Sequence, residues 1–267
     1  MVETRAIYKL DAFAEAPFSG NPAAVVPLDA WPEETLLQAI AMENNLSETA
    51  YFVPTPDDPD HDYRLRWFTP RIEVDLCGHA TLATAAVLFD RLGFAGDRLR
   101  FASNSGTLTV ARAEQGRFAL DLPAMPGEAG PPPAGLSERL GGVPVTGFVA
   151  GTFELALLPD EVAVRTARPD LRAIETAHPR GLVITAPGDT CDVVSRFFAP
   201  HSGNDEDPVT GSVHCTIAPY WAGQVGRNRL HCRQLSRRGG DLYCTLADGR
   251  VRIEGAARFY LEGTIDV

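Results

Sequence analysis

Apolar and polar residues alternate over residues 6–13, a period of two that predicts a strand. The turn-forming run Pro17-Phe18-Ser19-Gly20-Asn21-Pro22 stops it, and the apolar run 23–26 predicts a second strand. Over 32–42 the period lengthens: Leu36, Leu37 and Ile40 share one helical face, Pro32 suits a first turn, and Asn44-Asn45 suits a stop. Residues 48–53 predict a strand, 54–62 an exposed loop, 63–69 another strand and 70–76 a connection. Residues 78–92 are apolar nearly all round, which predicts a buried helix. Strand patterns around Leu99, Leu108 and Phe118 follow, then a Pro- and Gly-rich stretch, 123–135, that reads as a linker.

Beyond that linker the design recurs. Strands are expected near Val149, Leu155 and Leu182, a helix within 168–177, a further segment over 195–221, and strands at 242–246, 251–253 and 257–261. The last of these is placed to return to the first half. Arg66-Trp67-Phe68-Thr69-Pro70 precedes Gly78-His79 and an apolar helix; Arg196-Phe197-Phe198-Ala199-Pro200 precedes Gly211-Ser212 and another. The two glycines lie about half a chain apart, as duplication of one domain requires. The halves are 1–122 and 123–267.

Charge narrows the function classes. The 267 residues carry a net charge of −11, with 35 Asp and Glu against 24 Lys and Arg, which argues against nucleic-acid binding. The densest basic stretch, 227–238, reads as solvated surface. Met1-Val2-Glu3-Thr4-Arg5 lacks the basic start of a signal peptide, and no apolar run approaches a bilayer span, so a soluble cytoplasmic protein is expected, without membrane partners. Five cysteines, Cys77, Cys191, Cys215, Cys232 and Cys244, are an odd number without C-x-x-C spacing and are expected as free thiols.

Candidate chemistry gathers at the two repeated glycines. A Gly followed by a small polar residue at a buried helix start offers amides with no intrahelical acceptor, the positive end of the dipole and room for a ligand. That is an anion site or plain capping; two matched starts facing one another would grip a small carboxylate. Asp205-Glu206-Asp207-Pro208 abuts the second start, and one of these carboxylates is expected to face inward. His79 is a cap or a neutral polariser. Glu48 shares a strand face with Ala50 and Phe52, so it is either structurally paired or a general base with a raised pKa. No G-x-G-x-x-G, Walker, H-E-x-x-H or G-x-S-x-G motif occurs, so no cofactor and no metal is expected. His201 and His214 bracket the acidic turn but carry little weight as metal ligands.

Several segments resemble the phenazine biosynthesis PhzF-like family of isomerases: P-F-S-G-N-P-A-A-V-V at 17–26, N-L-S-E-T-A-Y-F at 45–52, R-W-F-T-P at 66–70 and D-L-C-G-H-A-T at 75–81. The likeness continues with S-R-F-F-A-P-H-S-G-N-D-E-D-P-V-T-G-S at 195–212, A-P-Y-W at 218–221 and R-R-G-G at 237–240. It implies an α+β fold like that of diaminopimelate epimerase: two pseudo-symmetric domains, each a curled mixed sheet wrapped around a central helix. It further implies cofactor-independent proton transfer between carbons of a small carboxylate-bearing substrate. Glu48, His79 and Asp207 would be catalytic; Asn21, Ser47, Gly78, Gly211 and Ser212 would bind substrate; and the chain would form a homodimer. Pocket walls would come from residues around Asn21, Asn44 and Asn204. Asn204-Asp205 departs from the small apolar residue that many relatives carry there, which points to a different substrate.

Diaminopimelate epimerase and proline racemases use two opposed cysteines, one before each central helix. Here Cys77 holds the first position and Thr210 the second, and a threonine hydroxyl cannot serve as a thiolate base. A two-thiol racemase is therefore disfavoured. An epimerase or dehydratase using Cys77 with Glu48 or Asp207, and a non-catalytic metabolite-binding protein, remain the alternatives.

Overall fold

A computed structural model describes residues 3–267, apart from the side chain of Asn204; Met1 and Val2 of the N-terminal reading lie outside the described residues. The chain forms two compact units, one running to Asp121 and taking in Glu254–Val267, the other Leu122–Ile253.

In the first unit the period-two start folds as Thr4–Ala12 and pairs antiparallel with both Asn21–Pro27 and the chain's last strand, Ala257–Asp266. Gly20 makes the turn possible: its φ is +69°, and a Cβ there would lie 2.3 Å from the Ala12 carbonyl oxygen. Asn21–Pro27 then pairs parallel with Glu48–Pro54, and Tyr63–Phe68 pairs parallel with Arg98–Ser103. A parallel pair needs a crossover, and each has a helix: Glu34–Asn44 for the first, Gly78–Asp90 for the second. The expected stop at Asn44-Asn45 is real, with Asn45 in the left-handed region at φ 48°.

Gly78–Asp90 packs against Thr4–Ala12, Asn21–Pro27, Glu48–Pro54, Gly106–Arg112 and Ala257–Asp266, so sheet surrounds it. Every residue from Gly78 to Phe89 is buried, which is why its sequence is apolar on all faces. Burying a Leu such as Leu82 or Leu88 contributes about 1.5–3 kcal/mol each.

The second unit repeats this order. Gly147–Ala150 pairs antiparallel with Glu154–Leu157, which pairs parallel with Leu182–Pro187. Leu182–Pro187 pairs antiparallel with Val193–Ala199, which pairs parallel with Arg229–Gln234. The crossovers are again helical: Glu161–Thr166 with Leu171–Ala177, then His214–Val225. The duplicated Arg motif proves structural. Arg66 binds Glu73 at 2.6 Å and stacks over Phe68 at 5.1 Å; Arg196 binds Glu206 at 2.7 Å and stacks over Phe198 at 4.9 Å.

Several sequence expectations change, and the connection 70–76 contains a short strand, Glu73–Val74, paired with Tyr63–Phe68. The linker 123–135 contains a short strand, Glu128–Gly130, paired with Gly147–Ala150. The basic stretch 227–238 is not all solvated surface: Arg229–Gln234 is a strand whose Leu230, Cys232 and Gln234 are buried, with arginines on the alternate face. Glu161–Thr166 is a helix too short to show a period, marked by the Asp160 cap. The second central helix starts at His214, with Gly211 to Val213 forming a tight turn before it.

Candidate functional site

Each unit places its polar chemistry at the start of its central helix. In the first unit the earliest helical bond runs from the Thr81 amide to the Cys77 carbonyl at 3.1 Å, so the amides of Gly78, His79 and Ala80 have no acceptor inside the helix. No side chain caps this end, whereas Asp160 and Asp170 cap the crossover helices of the other unit.

Glu48 opens its strand, and its partner in the parallel register is Ala23, two residues beyond Asn21. Ala50 and Phe52 on its face are buried, while the Glu48 side chain keeps 19% exposure. Its Oε2 lies 3.2 Å from Nε2 of His79, which brings together two of the sequence-predicted catalytic residues. The contact is close without hydrogen-bond alignment, so Nε2 is a buried nitrogen with capacity in reserve. Burial pushes the His79 pKa down to about 3, against a smaller opposing effect of the Pro22 carbonyl, and the ring is neutral at pH 7. His79 Nδ1 lies 3.4 Å from the Cys77 sulfur.

Among the described residues, Glu48, Cys77 and His79 form the group whose donor atoms all fall within 4.8 Å of one another. Carboxylate, thiol and imidazole would suit zinc. The imidazole, however, stands between the other two, with thiol at Nδ1 and carboxylate at Nε2. Asn21 is fully buried and Ser47 partly so; Asn44 donates to the Thr49 hydroxyl at 3.1 Å.

In the second unit the acidic stretch, read from the sequence as a turn, is the strand Asn204–Asp207 paired with Val193–Ala199, and it divides its labour. Asp205 is exposed, Glu206 is committed to Arg196, and Asp207 accepts a hydrogen bond from the Thr210 hydroxyl. Gln234, fully buried, ties these together: its Nε2 donates to the Asp207 carbonyl at 2.8 Å and its Oε1 accepts from the Thr210 amide at 3.0 Å. The Ser236 hydroxyl donates to the Pro208 carbonyl at 2.7 Å. Gly211 is buried and Ser212 partly buried in the turn that leads into the helix.

Sequence reasoning missed Gln234, because it sits in a stretch read as surface, and undervalued His214. His214 Nδ1 meets the Thr210 carbonyl at 2.8 Å, which fixes a proton on Nδ1 and leaves Nε2 a buried acceptor. Burial lowers its pKa to about 4, partly offset by that carbonyl. A period-two reading of 229–234 would have flagged Gln234 as a polar residue at a buried position.

The family model for phenazine biosynthesis-like proteins matches residues 10–263, nearly the whole chain. This chain belongs to the phenazine biosynthesis-like (PhzF) family. It is 48% identical over 259 residues to an uncharacterized isomerase of Pseudomonas aeruginosa, covering 97% of this chain and 98% of that protein. A crystal structure of a PhzF-family protein from Enterococcus faecalis superposes with a TM-score of 0.93 at 41% identity, covering 98% and 99% of the two chains. The fold extends further: a hydroxyproline epimerase from Agrobacterium vitis, 9% identical, matches with a TM-score of 0.64 over 99% and 93%. The PhzF membership and the epimerase-like α+β fold agree with the expectations drawn from the motifs.

Proposed function

We propose that this PhzF-family chain is a cofactor-independent isomerase that moves a proton between carbons of a small carboxylate-bearing metabolite. The carrying observation is the Glu48–His79 contact: a carboxylate at 3.2 Å from a buried imidazole that stays neutral at pH 7. Glu48 takes a proton from a carbon beside an unsaturated or carbonyl group and returns it elsewhere. Neutral His79 supports the carboxylate without competing for the proton, since its own pKa is near 3. The uncapped amides after Cys77 bind the substrate carboxylate or the charge that develops on it. Asp207, Gly211 and Ser212 keep the assisting and binding roles that family likeness gives them.

The protein acts as a soluble, cytoplasmic homodimer in this reading; among the described residues no helix is long and apolar enough to cross a membrane. Light scattering on the full chain tests the dimer.

The test of function is solvent exchange. A panel of small unsaturated and α-amino carboxylates in D2O, followed by proton NMR, shows deuterium entering at carbon with the wild type. Glu48→Gln, which keeps shape and loses basicity, lowers that rate by about 10²–10⁴-fold. Undiminished exchange in Glu48→Gln overturns the base assignment. A protein that only binds shows ligand-induced thermal stabilisation with no exchange at any carbon.

A further inference from the structure

The Cys77 thiol has no part in the proton transfer proposed above, yet it touches the machinery. Cys77 is the last extended residue before the helix, with φ −142° and ψ 107°, and its side chain does not cap the helix. Its sulfur is instead directed to His79 Nδ1 at 3.4 Å, within reach of a sulfur hydrogen bond. On the other side of the same ring, Nε2 faces the Glu48 carboxylate at 3.2 Å.

A neutral imidazole has one N–H and one lone pair, and what the second nitrogen meets decides which nitrogen carries the proton. An ionised carboxylate only accepts, while a thiol can donate. With the proton on Nε2, the N–H lies on the Glu48 side of the ring, 3.2 Å from the carboxylate but not aligned for a hydrogen bond, and the thiol S–H meets the Nδ1 lone pair. With the proton on Nδ1, a lone pair at Nε2 confronts carboxylate oxygen at 3.2 Å in a buried setting. The Pro22 carbonyl, which also faces the ring, can only accept, so it bids for the ring's one N–H and not for its lone pair.

We propose that Cys77 is a positioning residue whose S–H holds His79 in the Nε2-protonated tautomer, keeping the ring N–H on the side of the Glu48 carboxylate. This rests on the reading of Glu48 as the base only for its kinetic consequence; the tautomer itself is a property of the resting protein. His214 shows the opposite arrangement in the second unit, where a carbonyl at Nδ1 forces the proton onto that nitrogen. An acceptor at Nδ1 fixes one tautomer and a donor fixes the other.

The test is two-bond ¹⁵N–¹H correlation on full-length protein labelled at histidine, with His79 assigned through His79→Gln. Wild type shows Nε2 protonated and Nδ1 as an unprotonated acceptor. Cys77→Ser, which retains a donor, preserves that pattern. Cys77→Ala, which retains only small apolar bulk, moves the Nδ1 resonance and admits the other tautomer. In the exchange assay Cys77→Ala falls at least about tenfold, as a tautomer fault does in other base-assisted sites, and Cys77→Ser returns toward the wild-type rate. A proton on Nδ1 in the wild type, or His79 nitrogens unmoved by Cys77→Ala, overturns the proposal. Should the tautomer behave as stated while Glu48→Gln exchanges normally, the functional reading fails and this one stands.

Discussion

The two central helix starts hold the same place in two units of matching strand order, yet they differ in chemistry. Both are uncapped by side chains, and both carry a buried neutral histidine close after the repeated glycine. Both follow an Arg–Glu pair stacked on a phenylalanine. At the first start, however, the ring of His79 is flanked by thiol and carboxylate, whereas at the second Asp207 is met by the Thr210 hydroxyl and steadied by Gln234. In the proposed reading the first set takes and returns the proton. Thr210 at the second cannot, because its hydroxyl is far too weak an acid. In the proposed reading the two matching helix starts both serve as anion sites, with a base at the first start where a symmetric racemase would have two thiols.

The largest effect that sharpens this comparison comes from acid. His79 and His214 stay neutral in the fold to about pH 3 and about pH 4, while in the unfolded chain each binds a proton below about pH 6.5. Stability from burying them is present above pH 6.5 and drains away as pH falls toward the folded values. By pH 4.5 each costs roughly 2–3 kcal/mol. Urea unfolding between pH 7 and 4.5 should show this slope, and His214→Gln should flatten it by about half; an unchanged slope would mean that the ring is not held neutral.

Next comes Gln234→Leu, which strands the Asp207 carbonyl and the Thr210 amide in a buried site. A loss of about 2 kcal/mol is expected from the urea midpoint, with Gln234→Glu less tolerated at pH 7 than at pH 5 because a buried charge is added. A neutral outcome for Leu would show that the amide is not the strut of the second start.

The smallest effect tests the shared scaffold. Arg66→Met and Arg196→Met each remove a half-buried, stacked ion pair and should cost about 1 kcal/mol, equally in the two units. Thermal melts differing widely between the two would break the equivalence of the repeat.

Much of this was legible in the sequence where pattern and burial agree. The all-apolar run 78–90 is a central helix because sheet surrounds it, and the paired R-x-F motifs fall at matching places in two units of the same strand order. The Glu48–His79 pairing lay within reach, since each stood at the edge of an apolar element. What escaped depended on contacts remote in sequence. Gln234 looked like surface beside arginines until its strand turned alternate residues inward. His214 looked like a stray histidine until the turn at Gly211 set its ring against the Thr210 carbonyl. No local signal told which of Asp205, Glu206 and Asp207 faced inward, because Arg196 and Thr210 made that choice.

The central claim is that one carboxylate, and not a thiol, carries the proton. Deuterium incorporation at substrate carbon, measured side by side for wild type, Glu48→Gln and Cys77→Ser, tests it most directly. Incorporation that vanishes in Glu48→Gln and persists in Cys77→Ser is the predicted result. Incorporation that persists in Glu48→Gln and vanishes in Cys77→Ser would contradict it and assign the chemistry to the thiol.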